Sequence, residues 1–138
     1  MSEPNSDPAA TTTPWDIPTA RSLYNIDRWG AGYFDVNEAG NVVVTPLREK
    51  GSSIEIADII EEARERKLQF PLLIRFQDIL RDRVAHLNNA FRNSITEFQF
   101  KGSYRGVFPI KVNQLREVVE EILDAGKAYN FGLEVGSK

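Results

Sequence analysis

The sequence predicts an α/β fold in which parallel strands alternate with helices. Two observations from residue 70 onward predict it. Short apolar runs lack polar alternation, which is typical of strands that are covered on both faces. Each of the first two runs is followed by a segment in which apolar residues recur at steps of three and four, the spacing of one helix face. The order strand, helix, strand, helix, strand favours a parallel sheet with helical crossovers.

The N-terminal third of the chain has a different composition. Residues 1–14 (MSEPNSDPAATTTP) contain no large apolar side chain after the first methionine, so we expect a disordered leader. Residues 23–46 are rich in aromatic and β-branched residues, and residues 15–50 are therefore expected to form a small β element. Within it, residues 33–36 and 42–45 flank a five-residue loop, which predicts a β-hairpin. The preceding Gly-Ala-Gly at 30–32 leads into a strand and not a helix, so it predicts a bend rather than a phosphate loop.

The first helix of the larger segment, residues 51–138, is predicted from a capping pattern. Ser52 lies three residues before Glu55, the spacing at which a hydroxyl and a carboxylate bond to each other's free backbone amides. We therefore expect a helix to begin at Ser52 and to run to about Lys67. Its apolar face is formed by Ile56, Ile59, Ile60 and Ala63.

A strand and a long helix follow. Residues 70–76 (FPLLIRF) form an apolar run without alternation, which predicts a buried strand. Residues 78–98 predict a long helix, because apolar side chains recur along one face at Leu80, Val84, Leu87, Phe91, Ile95 and Phe98.

The last predicted elements are two strands with a helix between them. Residues 104–110 predict the second strand, and residues 128–134 predict the third. The helix between them begins at Asn113, and Gly126 is placed to end it. Three strands are too few for a barrel, which takes roughly 250 residues, or for an open sheet of about five strands. We therefore expect a fragment of a larger protein.

Composition and charge exclude several functions. The 17 Lys and Arg against 20 Asp and Glu give a net charge of −3 with no dense basic block, which argues against nucleic-acid and anionic-membrane binding. The absence of cysteine excludes disulfides, thiolate catalysis and cysteine-based metal sites. No signal sequence is evident and no apolar run approaches the roughly 18 residues of a membrane span, so a cytoplasmic location is expected.

The single histidine does not predict a metal site. His86 follows Asp78 and Asp82 at helical steps on the long helix. One histidine with two acids at this spacing is typical of an exposed helix face, since divalent sites usually need three or more convergent ligands. We therefore predict no metal ligands in this chain.

Lys111 is the main candidate for chemistry. It stands at the end of the apolar run Val-Phe-Pro-Ile, directly before a helix. In parallel α/β proteins, catalytic groups lie at the C-terminal ends of strands. A lysine there is expected to be partly desolvated, which favours the neutral, nucleophilic amine. The alternative is a lysine that ends a strand and extends to solvent.

Several blocks in the same order resemble the biosynthetic arginine decarboxylases. They are residues 24–26 (YNI), 29–34 (WGAGYF), 71–80 (PLLIRFQDIL), 106–114 (GVFPIKVNQ), 118–122 (VVEEI) and 132–138 (GLEVGSK). These enzymes use pyridoxal phosphate (PLP) and have the alanine-racemase type of barrel. The resemblance implies that the chain is the N-terminal part of a PLP-binding (β/α)8 barrel, with about three strands present, preceded by a small β element.

The resemblance also implies functional residues. Lys111 occupies the position of the lysine that holds PLP as a Schiff base, and Glu134 occupies that of an acidic residue near the cofactor. The implied reaction is decarboxylation of L-arginine to agmatine and CO2, the entry to polyamine synthesis, with PLP as the electron sink. A Mg²⁺ ion associated with the family and a homo-oligomeric parent protein are also implied.

The isolated chain is expected to be inactive, because the family's other cofactor and substrate groups lie further along a much longer polypeptide. Two alternatives stay open. The chain is an inert truncated product or associates with a full-length copy through its open sheet edge. Alternatively, its parent decarboxylates a different basic amino acid.

Overall fold

A computed structural model describes residues 14–48 and 51–136. The predicted leader, apart from Pro14, lies outside the described residues. The described chain is a mixed α/β structure with two sheets, one of three antiparallel strands and one of two parallel strands. Among the described residues, no helix combines the length and the apolar character needed to cross a membrane.

Two short helices that the sequence analysis did not predict open the described chain. Helix α1 spans Ile17–Leu23 and α2 spans Ile26–Trp29. Asp16 caps α1, because its Oδ1 accepts a hydrogen bond of 2.7 Å from the Thr19 amide. Hydrogen bonding by the Thr19 side chain, together with this amide bond, lowers the pKa of Asp16. The cap and the proline early in α1 were the available sequence signals.

The predicted hairpin is confirmed. Strands β1 (Phe34–Val36) and β2 (Val42–Val44) pair antiparallel, with Phe34 opposite Val44. The Oδ1 atom of Asn37 accepts hydrogen bonds from the amides of Ala39 and Asn41, at 3.1 and 2.9 Å. This side chain therefore holds the loop in its turn. The predicted bend before β1 is also confirmed by positive φ angles at residues 31 and 32.

The predicted capping box at Ser52 is wrong. Residues Ile54–Glu55 form strand β3, which pairs with β2. Helix α3 begins after this strand and spans Ile56–Glu65. The Glu55 carboxylate instead accepts hydrogen bonds from the side-chain amides of Asn37 (2.5 Å) and Asn41 (2.7 Å). Glu55 is thus engaged by the hairpin loop and makes no capping bond.

The predicted strand at residues 70–76 is also wrong. Residues 72–76 carry no regular structure and pair with no other strand among the described residues. Leu73 is 75% exposed. An apolar run becomes a strand only when a neighbour satisfies its backbone groups, and the described residues supply none. The expected three-stranded parallel sheet is therefore reduced to two strands.

The remaining predicted elements form, with shifted ends. Helix α4 spans Gln77–Glu97, within one residue of its prediction at each end. Strands β4 (Val107–Pro109) and β5 (Gly132–Glu134) are shorter than predicted and pair in parallel. Helix α5 spans Arg116–Gly126 and begins three residues late, because a 3₁₀ turn at Ile110–Val112 follows β4.

Helices α4 and α5 pack through a small apolar core next to the parallel strands. Its buried residues are Val84, Val118 and Ile122, and the half-buried side chains around them are Leu80, Phe108, Ala125, Tyr129 and Phe131. Asn88 is buried beside this core and donates its side-chain amide to the carbonyl of Val84 at 2.7 Å. The buried amide is thereby satisfied within its own helix.

Phe131 fixes the pairing of β4 with β5. A Cβ at Gly106 would lie 2.2 Å from the Phe131 ring, and a Cβ at Gly126 would lie 2.5 Å from Phe131 Cβ. Only glycine therefore fits at either position. The Gly132 amide donates to the Gly106 carbonyl at 3.0 Å, and the Phe131 amide donates to the Gly126 carbonyl at 3.1 Å.

Charged side chains join α4 to α5 at the surface. Arg81 forms an ion pair with Glu121 and donates a 2.7 Å hydrogen bond to Asp124. Lys127 lies 2.6 Å from the other oxygen of Asp124. The hydrogen bonds from Lys127 and Arg81 lower the pKa of Asp124 to about 2.

Replacement of Gly106 tests the packing around Phe131. Gly106→Ala is expected to lower the free energy of unfolding by about 1–3 kcal/mol, because the added methyl overlaps the Phe131 ring. Gly132→Ala is the matched control, since the nearest atom to its new methyl lies at 3.6 Å, an ordinary contact. Urea denaturation followed by circular dichroism measures both. Equal effects of the two substitutions would contradict this packing.

Acid titration tests the α4–α5 ion network. Because the folded pKa of Asp124 is depressed to about 2 from its ordinary 3.8, its contribution to stability is present above pH 3.8 and is lost as the pH falls through 2. Lys127→Gln removes the first cause of this shift and should raise the Asp124 midpoint in carboxyl ¹³C NMR. Arg66→Gln, which removes a remote pair with Glu62, is the control. An Asp124 midpoint that Lys127→Gln leaves unchanged would refute the assignment.

Candidate functional site

The candidate site lies at the C-terminal edge of the parallel strands. Lys111 stands in the 3₁₀ turn Ile110–Val112 that directly follows β4. Glu134 is the last residue of β5, and the parallel register places it opposite Pro109. Because parallel strands end at the same edge, the two candidates lie on neighbouring strand ends.

The structure brings the two predicted site residues together. The Nζ atom of Lys111 lies 3.9 Å from Oε2 of Glu134, an ion pair without a hydrogen bond. The Lys111 side chain is 72% exposed and that of Glu134 is 38% exposed. Water screens such a pair, which then contributes little to stability.

The expected partial desolvation of Lys111 is not observed among the described residues. A side chain that is 72% exposed keeps most of its hydration, although an apolar strand precedes it. The cause is the 3₁₀ turn, which carries Lys111 beyond the end of β4 into solvent. The alternative of a lysine that extends to solvent therefore describes this structure.

Local sequence determines where both side chains emerge. Pro109 ends β4 with extended backbone angles (φ −74°, ψ 111°), and the 3₁₀ turn that follows directs the chain away from the sheet. The Oδ1 atom of Asn113 then accepts a hydrogen bond of 3.1 Å from the amide of Leu115, the residue directly before α5. On the other strand, the packing of Phe131 against Gly106 and Gly126 sets the register of Glu134.

Metal ligands do not converge in the part of the chain that the structure describes: no group of three or more His, Asp or Glu residues there could hold a metal ion. His86 is exposed on α4, as predicted for a solvated helix face. Asp82 departs from that prediction. It is half-buried and binds Tyr33 and Arg48, a contact between distant segments that helical spacing cannot reveal.

Comparison with curated proteins finds many relatives of the same kind. The chain is 47% identical to a biosynthetic arginine decarboxylase of Prochlorococcus marinus over 133 residues, which is 96% of this chain and 20% of that protein. The same enzyme of a Nostoc species is 42% identical over 98% of this chain, and that of Rhodopirellula baltica is 46% identical over 90%. No family model matches the chain.

A solved structure is similar as well. The crystal structure of the biosynthetic arginine decarboxylase from Campylobacter jejuni matches with a TM-score of 0.72 and 35% identity. The match covers 83% of this chain and 19% of that one. The mixed α/β arrangement described above is therefore shared with part of that enzyme.

Fold and site together define an α/β segment with a lysine at the C-terminal end of a parallel strand. The comparisons make the relationship specific. The chain is homologous to biosynthetic arginine decarboxylases and spans about a fifth of the length of the curated relatives it matches.

Proposed function

We propose that the chain is the cofactor-lysine segment of a PLP-dependent enzyme that decarboxylates L-arginine to agmatine and CO2. One observation carries the proposal. Lys111 and Glu134 lie 3.9 Å apart at one sheet edge, within a chain that is 42–48% identical to biosynthetic arginine decarboxylases. Catalytic groups of parallel α/β proteins lie at this edge.

The described residues fit PLP at one point. Lys111 offers a solvent-accessible primary amine, the group that condenses with the aldehyde of PLP. When bound, PLP supplies an electron sink for the carbon that loses CO2. Lys111 would hold the cofactor through Nζ. The Glu134 carboxylate, 3.9 Å from Nζ, would orient that amine.

A complete site needs more than these two residues. Decarboxylation also requires groups that bind the phosphate, the pyridine ring and the substrate. We propose that the rest of a longer polypeptide supplies them, covers Lys111 and removes its hydration. In that protein, β4 and β5 would be neighbouring strands of a (β/α)8 barrel, and a small β element that includes residues 15–50 would precede it. The described residues do not fit the implied Mg²⁺, because no three His, Asp or Glu side chains among them converge.

A chimeric enzyme tests the proposal in a complete protein. The matching segment of the Nostoc enzyme is replaced by this chain, and the product is incubated with PLP and reduced with borohydride. We expect peptide mass spectrometry to find the cofactor covalently attached to Lys111. Lys111→Ala should abolish both this labelling and the release of CO2 from arginine.

Lys101→Ala is the matched control, because Lys101 is an exposed lysine in the loop between α4 and β4 and should be dispensable. Cofactor attached elsewhere in the folded chimera, or labelling that persists in Lys111→Ala, would contradict the role of Lys111. The choice of amino acid is tested in the parent protein and not in the chimera, because the rest of the polypeptide supplies the substrate-binding groups. Faster release of CO2 from ornithine or lysine than from arginine would favour a different basic amino acid.

A further inference from the structure

The described chain consists of two units that each have their own buried residues. The N-terminal unit comprises α1 to α3 and β1 to β3, and it buries Ala20, Ile26, Tyr33, Val43, Val44 and Ala63. The C-terminal unit comprises α4, α5, β4 and β5, and it contains the apolar core around Val84. Residues 66–76, which join the two units, form neither helix nor strand.

A single carboxylate connects the two units through polar contacts. The hydroxyl of Tyr33, in the N-terminal unit, donates a hydrogen bond to Oδ2 of Asp82 on α4. Arg48, also in the N-terminal unit, donates to the Tyr33 hydroxyl at 3.0 Å, and its Nε lies 3.6 Å from the same Asp82 oxygen. Within residues 14–48 and 51–136, every hydrogen bond or ion pair that joins the units ends on Asp82.

Tyr33 is buried, and the side chains of Arg48 and Asp82 are half-buried. Tyr33 is only 4% exposed, and the side chains of Arg48 and Asp82 are each 31% exposed. The Arg48 guanidinium also lies over the Tyr33 ring, 4.5 Å from its centroid. Reduced screening strengthens such charged hydrogen bonds and makes the loss of one partner costly.

The contact at Asp82 is incompletely satisfied. The Nε atom of Arg48 is buried and makes no hydrogen bond, although the Asp82 carboxylate is near. Buried polar groups are rarely left without a partner. A small displacement of α4 relative to β1 would change this contact, whereas the hydrogen bonds inside each unit would remain.

We propose that Tyr33, Arg48 and Asp82 form a latch that holds the N-terminal unit against α4. When the latch opens, the N-terminal unit moves as a body on residues 66–76, and both units keep their internal structure. This inference does not depend on the proposed decarboxylase function, because none of its contacts involves Lys111 or Glu134.

Distance measurements between the two units test the latch. The chain has no cysteine, so Glu38→Cys in the hairpin loop and Asn93→Cys on α4 can be spin-labelled without background; both positions are exposed. Pulsed electron resonance on the full chain should give one narrow distance distribution. Tyr33→Phe, which keeps the ring and removes the hydroxyl, and Asp82→Asn should each roughly double its width, as expected for a hinge that is released.

Tyr24→Phe and Asp78→Asn are the matched controls, because they make the same chemical changes at exposed positions of the two units. Hydrogen exchange by mass spectrometry accompanies each variant. Broadened distances with retained protection of β1, β2, α4 and α5 support the latch. Unchanged distances in both Tyr33→Phe and Asp82→Asn overturn it. Loss of protection throughout both units also overturns it, because the three side chains would then stabilise the whole fold and not specifically the contact between the units.

Discussion

The parallel pairing of β4 with β5 is the constraint on which the candidate site depends. Phe131 occupies the space that a side chain at Gly106 or Gly126 would need. The segment before β4 and the end of α5 can therefore pack against Phe131 only because both positions are glycine. This packing sets the register in which Glu134 lies opposite Pro109. Lys111 follows Pro109 by two residues, and the two charged groups therefore reach the same sheet edge.

The exposure of Lys111 indicates that the proposed site needs residues from the rest of a larger protein. A side chain that is 72% exposed keeps most of its hydration, and a screened pair with Glu134 stabilises the fold by no more than about 1 kcal/mol. Amines become nucleophilic when burial disfavours their charge. The proposed chemistry therefore requires a cover over the strand ends, and homologous enzymes about five times as long have ample chain to provide one.

Local patterns predicted the parts of the fold that depend on local interactions. The apolar spacing of α4 located that helix within one residue, and the hairpin loop around Asn37 was found from its composition. Long-range contacts caused the errors. Glu55 has the spacing of a capping residue, but side chains from the hairpin, 14 and 18 positions away, bind its carboxylate. Asp82 has the spacing of an exposed helix face, but Tyr33, 49 positions away, binds it. The apolar run at residues 70–76 predicted a strand, but the run alone cannot show whether a neighbouring strand pairs with it.

The parallel pairing of β4 with β5 is tested most directly by detecting the hydrogen bond at which this pairing begins. The structure places the Gly132 amide 3.0 Å from the Gly106 carbonyl. In a uniformly ¹⁵N,¹³C-labelled chain, NMR should detect a scalar coupling across this hydrogen bond, together with slow exchange of the Gly132 amide. A Gly132 amide without the coupling that exchanges as fast as an unstructured peptide would show that the two strand ends are not joined. Lys111 and Glu134 would then have no fixed relation.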